Sequence, residues 1–199
     1  MSHFLHAIDV SAETIRAAGA GDVRAHEEIF RACKRPLYTL IRRLIPRPAV
    51  ADDLFQDTFV EILRSIGAYS GEGSFGGWVR SIAVSKCLMY LRSPWHRSVL
   101  WLDADNSITE ELVEPEAGPD ARFESQRDLA RALSVLPALT RSVVWLHDVE
   151  GYTHLEIARL LGRTTSFSKS QLARAHARLR LALQSDTESL PCTPVSTNC

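Results

Sequence analysis

The chain has 199 residues, of which 45% are hydrophobic and 24% are charged, and its formal net charge is −1. This composition is typical of a globular protein with room for one core or two small ones, and it excludes a fibrous or low-complexity chain. No apolar run approaches the ~18 residues of a membrane span, and the N-terminus has no signal-peptide pattern. We therefore predict no membrane partner. The four cysteines lack CxxC spacing, and together with the missing signal peptide this predicts a cytoplasmic protein with reduced thiols.

The near-neutral total conceals a strong segregation of charge along the chain. Basic residues crowd the early segment 34–47 and the last predicted helix, while carboxylates crowd the region 103–128 between them. No acidic residue occurs from Leu160 to Gln184. Since nucleic-acid binding depends on where charge lies rather than on its sum, the net charge does not exclude a DNA partner.

Apolar residues at helical spacing predict three helices in the first half of the chain. The first covers 25–45 and contains Pro36, which should kink or split it. The second lies within 49–69 and is amphipathic, with several carboxylates on its polar side. A glycine-rich loop, 70–77, leads into the third helix, whose apolar stripe includes Cys87 as a small buried residue rather than a reactive one.

The middle and the end of the chain break this pattern. Residues 93–121 contain three prolines and many carboxylates without sustained periodicity, which predicts an extended acidic linker. Helical periodicity resumes near Phe123, and two short helices and one long helix follow. The tail 185–199, rich in Ser, Thr and Pro, is predicted to be disordered. No period-two alternation of useful length occurs, so the predicted fold is all-α.

The segment 152–183 carries the signals of a helix-turn-helix. Thr153 and Glu156 form a capping-box pattern, Gly162 suits a left-handed turn, and a threonine at 164 or 165 caps the next helix. That helix is basic without a single acidic residue. A solvated helix face normally mixes both signs of charge, so this pattern favours contact with DNA phosphates over mere solvation.

These residues resemble a known family, the extracytoplasmic-function (ECF) sigma factors of bacterial RNA polymerase. The segment 136–183 is similar to the C-terminal sigma4 domain, through LPALTRSVVWLHDVEGYTHLEIARLLGRTTSFSKSQLARAHARLRLAL. In the first half, ADDLFQDTFVEILRSI resembles the signature of the N-terminal sigma2 domain, and GSFGGWVRSIAVSKCLMYLR resembles the stretch that melts promoter DNA. Two signatures in the family's order are more specific than a lone helix-turn-helix.

The resemblance implies two small helical domains joined by an acidic linker. A sigma2-like bundle would occupy 20–95, the linker 96–122, a sigma4-like helix-turn-helix domain 123–184, and the tail 185–199. It implies a sigma factor that binds core RNA polymerase, through the β′ clamp helices and the β flap, and directs promoter-specific initiation. Sigma4 would read the minus-35 element, and sigma2 would melt and capture the minus-10 element. An anti-sigma factor is a further candidate partner.

The matched positions supply the candidate contact residues. For polymerase binding they form a polar helix face, with a merely solvated face as the alternative: Asp52, Asp53, Gln56 and Asp57. For DNA binding by sigma2 they are aromatic and basic, with Phe75 equally suited to closing the core: Phe75, Trp78, Arg80, Ser85, Lys86 and Arg92. For DNA binding by sigma4, the sequence does not assign which candidates contact bases and which contact phosphates. These candidates are Arg163, Thr165, Ser166, Lys169, Ser170, Gln171, Arg174 and Arg178.

Two positions depart from the family's pattern. Ser85 stands where most relatives carry an asparagine that lines the pocket for a flipped minus-10 base, so the base preference is not carried over. Ser168 stands where the family usually has an apolar residue buried against the first helix of the motif. Either Phe167 supplies that packing through a shifted helix, or the helix docks less firmly.

Two other classes of protein compete with this interpretation. A stand-alone helix-turn-helix transcriptional regulator that does not bind polymerase explains the second half, but not the sigma2 matches. An enzyme is not predicted, because no nucleophile has a supporting motif and the histidines are dispersed along the chain. These histidines are His26, His96, His147, His154 and His176.

No cofactor or metal site is predicted. His3 and His6 would share one face of a helix, but no third ligand lies nearby in the sequence, and a frayed terminus is favoured. Cys192 and Cys199 are expected to be ordinary tail cysteines rather than redox sensors, since no basic neighbour lowers their pKa.

Overall fold

The computed structural model describes residues 8–93 and 132–188, with side chains as far as residue 182. Within these two ranges all regular structure is helical, which confirms the all-α prediction. The first range contains α1 (Ala12–Gly19), α2 (Val23–Leu44), α3 (Pro48–Ser65), a 3-10 turn (Ile66–Ala68) and α4 (Phe75–Arg92). The second contains α5 (Ala138–Val144), a π-helical continuation (Trp145–Val149), α6 (His154–Leu161) and α7 (Thr165–Glu188).

Helix α1 was not predicted, and it extends the first helical unit upstream of residue 20. Ser11 caps the helix by accepting a hydrogen bond from the Thr14 amide at 3.0 Å. At the other end, the His26 ring of α2 lies 2.8 Å from the Ala18 carbonyl oxygen. The helix has only eight residues, and Ala18 alone is fully buried, so it offers little length for a sequence pattern to be recognised.

Helix α2 runs without a break through Pro36, so of the two predicted outcomes, a kink or a split, the split does not occur. A proline removes one backbone hydrogen bond from a helix interior and crowds the preceding turn. Here Cys33, Leu37 and Leu40 lie on one side of the helix around it, and none of them has exposed surface. We infer that burial of this apolar stripe keeps the helix together.

Helices α2, α3 and α4 pack into one apolar core. Its largest fully buried side chains include Ile41 from α2, Ile62 from α3, and Val79 and Leu88 from α4. Burying a side chain of this size stabilises a fold by about 1.5–3 kcal/mol. The polar face of α3 is therefore held in place from behind by side chains of two neighbouring helices.

The second helical unit packs against the first. The guanidinium of Arg43 on α2 lies 5.4 Å from the centre of the Trp145 ring. At the end of α4, Arg92 Nη1 donates to the carbonyl oxygen of Leu160 on α6 at 2.9 Å. Both contacts join residues far apart in the chain, so they are products of tertiary packing alone.

Several sequence predictions fall outside the described residues. This group comprises the linker at 96–122 and residues 189–199 of the tail, which include Cys192 and Cys199. Helix α7 continues to Glu188, beyond its predicted end at Gln184. Among the described helices, none combines the length and the apolar character needed to cross a membrane.

Candidate polymerase and nucleic-acid interfaces

The predicted polymerase-binding residues share one exposed face of α3. Its members are Asp52, Asp53, Gln56 and Asp57, and we call this set the acidic face. The opposite side of the helix is buried through Ala51, Leu54 and Thr58. The Tyr38 hydroxyl of α2 donates to Asp52 Oδ1 at 2.8 Å. This hydrogen bond to a carboxylate raises the pKa of Tyr38.

A row of half-buried aromatic rings borders the acidic face. The Phe30 ring of α2 lies 4.8 Å from the Phe59 ring and 6.1 Å from the Phe55 ring of α3. Tyr38 extends the row, with its ring 5.9 Å from that of Phe55. The edge-to-face geometry of these pairs is one that aromatic rings prefer. No signal in the sequence indicated that rings from α2 and α3 would meet, because their residues lie on separate helices.

The aromatic residues at the start of α4 have different surroundings. Phe75 is only 6% exposed and lies 5.5 Å, ring to ring, from Tyr69. Trp78 is half-buried and lies 5.3 Å from the same tyrosine ring. In this conformation Phe75 belongs to the core, which was one of its two predicted roles. Trp78 is the more accessible of the two for stacking on a base.

Two basic candidates of the first unit face the second unit. Arg92 bonds to Leu160, and its guanidinium lies beside Gly162. The Nε atom of Arg80 is buried and has no hydrogen-bond partner among the described residues. Arg80 also interacts electrostatically with Glu150, whose pKa is nevertheless raised by burial. Arg92 nevertheless remains exposed, whereas Arg80 is half-buried.

The remaining candidates on α4, Ser85 and Lys86, are half-buried. Lys86 Nζ is 3.5 Å from Glu61 Oε2 on α3. A partly exposed ion pair of this kind adds little to stability. The ammonium can therefore exchange its carboxylate partner for a phosphate at small cost.

The helix-turn-helix signals are confirmed in detail. The Thr153 amide donates to Glu156 Oε2 at 2.7 Å, and the Glu156 amide donates to Thr153 Oγ1 at 3.3 Å, which completes the capping box. The Thr153 hydroxyl, which donates to the same Glu156 oxygen at 2.7 Å, and the Thr153 amide together lower the pKa of Glu156. Gly162 has the left-handed conformation, with φ of 61°. Thr164 then caps α7 by accepting from the Phe167 amide at 3.2 Å.

The predicted sigma4 contacts divide by exposure. Exposed are Arg163, Ser166, Lys169, Arg174 and Arg178, which we call the basic face of α7; half-buried are Thr165, Ser170 and Gln171. Gln171 Oε1 accepts a hydrogen bond from the Thr140 hydroxyl of α5 at 2.8 Å. Lys169, Arg174 and Arg178 thus lie on α7 and Arg163 lies in the turn before it, while Gln171 already has a partner within the protein.

Ser168, the departure from the family's pattern, is completely buried at the contact between α6 and α7. Its hydroxyl lies 3.0 Å from Nδ1 of His154 on α6. The serine therefore occupies the buried position itself, and a histidine meets its polar atom. Phe167, the proposed substitute, is half-buried beside it, with the Arg163 guanidinium 5.8 Å from its ring centre.

Three histidines at separate positions in the sequence, His147, His154 and His176, lie close together beside the contact between α6 and α7. The description of the histidines as dispersed is therefore wrong for these three. The His147 and His154 rings stack with their centres 4.5 Å apart. Asp148 Oδ1 lies 2.8 Å from His147 Nδ1, and Asp148 Oδ2 lies 2.7 Å from His176 Nε2. These contacts lower the pKa of Asp148 although its partial burial opposes them. No group of side chains within 8–93 and 132–182 has the arrangement of a metal site.

Comparison with known proteins agrees with this two-unit helical architecture. Residues 29–97 match the family model described as Sigma-70 region 2, and residues 126–179 match that of Sigma-70, region 4. The chain is 33% identical to the ECF RNA polymerase sigma factor SigM of Mycobacterium tuberculosis, over 85% of this chain and 82% of SigM. It is 31% identical to the RNA polymerase sigma factor CarQ of Myxococcus xanthus, over 81% and 90% of the two chains.

Among solved structures, the sigma factor RpoE from Bartonella quintana, in complex with the anti-sigma factor NepR, has a similar fold. The TM-score is 0.55 and the identity 21%, over 82% of this chain and 99% of RpoE.

Two helical units with these matches, in this order, define an initiation factor of the sigma-70 class. Within that class, the chain belongs to the ECF sigma factors of bacterial RNA polymerase. It is therefore a non-enzymatic factor that binds core RNA polymerase and directs it to specific promoters. A stand-alone regulator is not favoured, because such a protein does not account for the match to region 2.

Proposed function

We propose that the acidic face of α3 docks on the β′ clamp helices of core polymerase, and that the basic face of α7 enters the major groove of the minus-35 element. One observation carries this proposal: the two exposed faces have opposite charge and lie on different helical units. Four polar residues without a cation form the α3 face, whereas α7 carries cations without an acid as far as Gln184. A surface for a protein partner and a surface for phosphates are thereby kept separate.

The proposed domain limits follow from the division of the chain into two helical units. A sigma2-like domain occupies 20–95, preceded by α1, and a sigma4-like domain occupies 123–184. An acidic linker at 96–122 joins them, and 185–199 forms the tail. The matched ranges 29–97 and 126–179 support these limits. The sigma4-like domain also contacts the β flap, and the protein acts in the cytoplasm, where core polymerase is found.

The sigma4 contacts are divided between phosphates and bases. Lys169, Arg174 and Arg178 hold backbone phosphates, since they are exposed and carry full charge. Gln171 is the candidate for a two-point contact with adenine, because its amide has the required donor and acceptor. It must first release the Thr140 hydroxyl, which costs one hydrogen bond.

The sigma2 contacts serve melting and capture of the minus-10 element. Trp78 stacks on an unpaired base, an interaction of about 1–3 kcal/mol, and Phe75 supports it from the core. Lys86 holds a phosphate of the opened strand. Arg80 and Arg92 do so only after leaving their contacts with the second unit.

An anti-sigma factor is a further partner in this proposal. The solved RpoE structure contains the anti-sigma factor NepR, and its fold resembles that of this chain. The acidic face and the basic face are the two surfaces that such a partner has to cover in order to block polymerase and DNA.

The test is transcription in vitro with bacterial core polymerase and genomic DNA of the protein's own source, followed by sequencing of the transcripts. We expect specific starts that are lost when Asp53 and Gln56 are changed to alanine. Glu13→Ala, an exposed acidic residue on α1, is the matched control and should leave the starts unchanged. Unchanged starts with the double variant would contradict docking through α3. DNA binding without any core complex would return the stand-alone regulator to consideration.

A further inference from the structure

The contact between α6 and α7 includes, beside its buried apolar residues, one polar pair that the proposed function leaves unused. Ser168 has no exposed surface, and His154 Nδ1 lies 3.0 Å from its hydroxyl oxygen. A buried hydroxyl without a partner is costly, so this histidine allows a serine to occupy a buried position. Lys169 follows Ser168 directly and belongs to the basic face of α7. The pair therefore lies where the orientation of α7 is set.

The surroundings of His154 disfavour a positive charge on its ring. His154 is the first residue of α6, where the partial positive charge of a helix N-terminus opposes a cation. The His147 ring stacks on it at 4.5 Å, and Lys169 on α7 is close enough to repel a proton from it. The nearby carboxylate of Asp148 already bonds to His147 and His176 through its two oxygens. Desolvation by burial, His147 and Lys169 together lower the pKa of His154, in spite of Asp148.

We propose that His154 is a positioning residue that holds α7, through Ser168, in the orientation that minus-35 DNA requires, and that protonation of its ring weakens this hold. The inference rests on the proposed role of α7 as the DNA-reading helix. It adds a regulatory property to that role: promoter binding by this sigma factor declines in mildly acidic solution.

The direction of this pH dependence follows from the charge balance around the ring. A histidine whose pKa is lowered by folding binds its proton more weakly in the docked state than in the undocked one. The hold is therefore complete above the ordinary value of 6.5 and declines as the pH falls below it. Ser168 donates to a neutral Nδ1, so protonation of that nitrogen breaks this hydrogen bond unless the hydroxyl turns to accept from it. The added charge also lies beside the His147 ring and near Lys169, which disfavours the docked arrangement.

Two substitutions separate positioning from titration. His154→Asn places an amide near the position of Nδ1, so it keeps a bond to Ser168 but cannot titrate. His154→Ala removes both properties. The assay measures binding of core polymerase with the full chain to a duplex of a promoter found by transcript sequencing. The same duplex with a scrambled minus-35 element gives the nonspecific background, and the pH runs from about 8 to about 5.5.

We expect His154→Ala to bind about fivefold more weakly than the unmodified chain at pH ~8, the factor for one lost hydrogen bond. His154→Asn should retain most of the affinity there. The ratio of the affinity of the unmodified chain to that of His154→Asn should fall severalfold on acidification. This ratio cancels the effects of pH on polymerase and on the other histidines, since both proteins share them.

A ratio that stays constant, or rises because the protonated ring attracts DNA phosphate, would overturn the proposal. An unchanged affinity of His154→Ala would overturn the positioning role. Because His154→Ala leaves a buried hydroxyl, thermal unfolding of each variant checks that it is folded, and the double variant His154→Ala with Ser168→Ala removes the orphaned group. If the unmodified chain gives specific transcript starts but all variants bind the promoter with the same affinity, only this inference is refuted. Absence of specific starts would refute the proposed function itself.

Discussion

The two helical units are held together in different ways. In the unit of α1 to α4, helix α2 alone contributes Ile29, Leu37, Leu40 and Ile41 to the core without any exposed surface. In the unit of α5 to α7 the contacts between helices include polar pairs, such as the Ser168 hydroxyl with a histidine. A thick apolar core holds an outer face in place whatever that face carries. In the second unit, whose buried apolar side chains include Leu146 and Ile157, the polar pair of Ser168 and His154 adds to the apolar packing, and we expect the orientation of α7 to respond to its removal.

The most severe way to disturb the first unit is to open a cavity in its core. Ile41→Ala removes a fully buried side chain from α2, and we expect a loss of about 2–5 kcal/mol in the free energy of unfolding. Urea unfolding followed by circular dichroism measures it. Val23→Ala, at a position 78% exposed, is the control and should stay within ~0.5 kcal/mol. Equal losses in both variants would contradict the packing described for α2.

In the second unit, a backbone substitution at the turn should have the next largest effect. Gly162→Ala puts a side chain at φ of 61°, which costs about 1–2 kcal/mol for a non-glycine residue. The added Cβ would also lie 3.4 Å from Arg92 Nη1. Gly67→Ala is the matched control, because its φ is not positive and its Cβ would come no closer than 3.7 Å to its neighbours. Thermal unfolding should show a lower midpoint for Gly162→Ala only.

Loss of the capping box should have a smaller and local effect. Thr153→Ala removes the side chain that accepts from the Glu156 amide, and N-cap losses typically cost ~1 kcal/mol. Hydrogen exchange should become faster in the first turn of α6 while α2 keeps its protection. Thr153→Ser retains the hydroxyl and should behave like the unmodified chain. Equal protection in all three proteins would show that the cap is not needed for the start of α6.

The smallest expected effect concerns Glu150, which accepts from Trp145 Nε1 at 3.2 Å. Burial raises the pKa of Glu150 above 4.5, so the folded protein holds this proton more tightly than the unfolded chain. Stability from this group is complete below 4.5 and declines as the pH rises through the raised pKa. Glu150→Gln keeps an acceptor oxygen without the charge. We therefore expect it to stabilise the protein at pH ~7 by less than about 1 kcal/mol.

The measurement for Glu150→Gln is the unfolding midpoint as a function of pH. Its advantage over the unmodified chain should vanish near pH ~4, where both side chains are neutral. Glu13→Gln, on the exposed surface of α1, serves as the control. A Glu150→Gln variant that is less stable at neutral pH would mean that the attraction between Glu150 and Arg80 outweighs the burial of the charge.

Much of the fold could be predicted because its signals are local. The capping box at Thr153, the left-handed Gly162 and the cap of α7 each involve residues within four positions of one another. The acidic face of α3 and the basic face of α7 follow from the helical repeat alone. Helix α1 and the unbroken passage of α2 through Pro36 could not be predicted, because both depend on partners elsewhere in the chain.

The candidate site shows the same limit. Phe75 had two equally suitable roles in the sequence, and burial against Tyr69 assigns it to the core in this structure. The aromatic row beside the acidic face takes Phe30 and Tyr38 from α2, for which the pattern of α3 contains no signal. Ser168 was an unexplained departure until its partner on α6 was known.

By itself, the sequence determined the all-α class, the caps of α6 and α7, which faces are charged, and which family the signatures resemble. These properties depend on hydrogen bonds and periodicities that span a few residues, so they can be read along the chain. Only the tertiary structure decided that Arg92 meets Leu160, 68 positions away, and that His154 stacks on His147 above a buried serine. Such contacts are made when buried apolar surfaces bring separate helices together, and the geometry of that packing is not contained in any single segment.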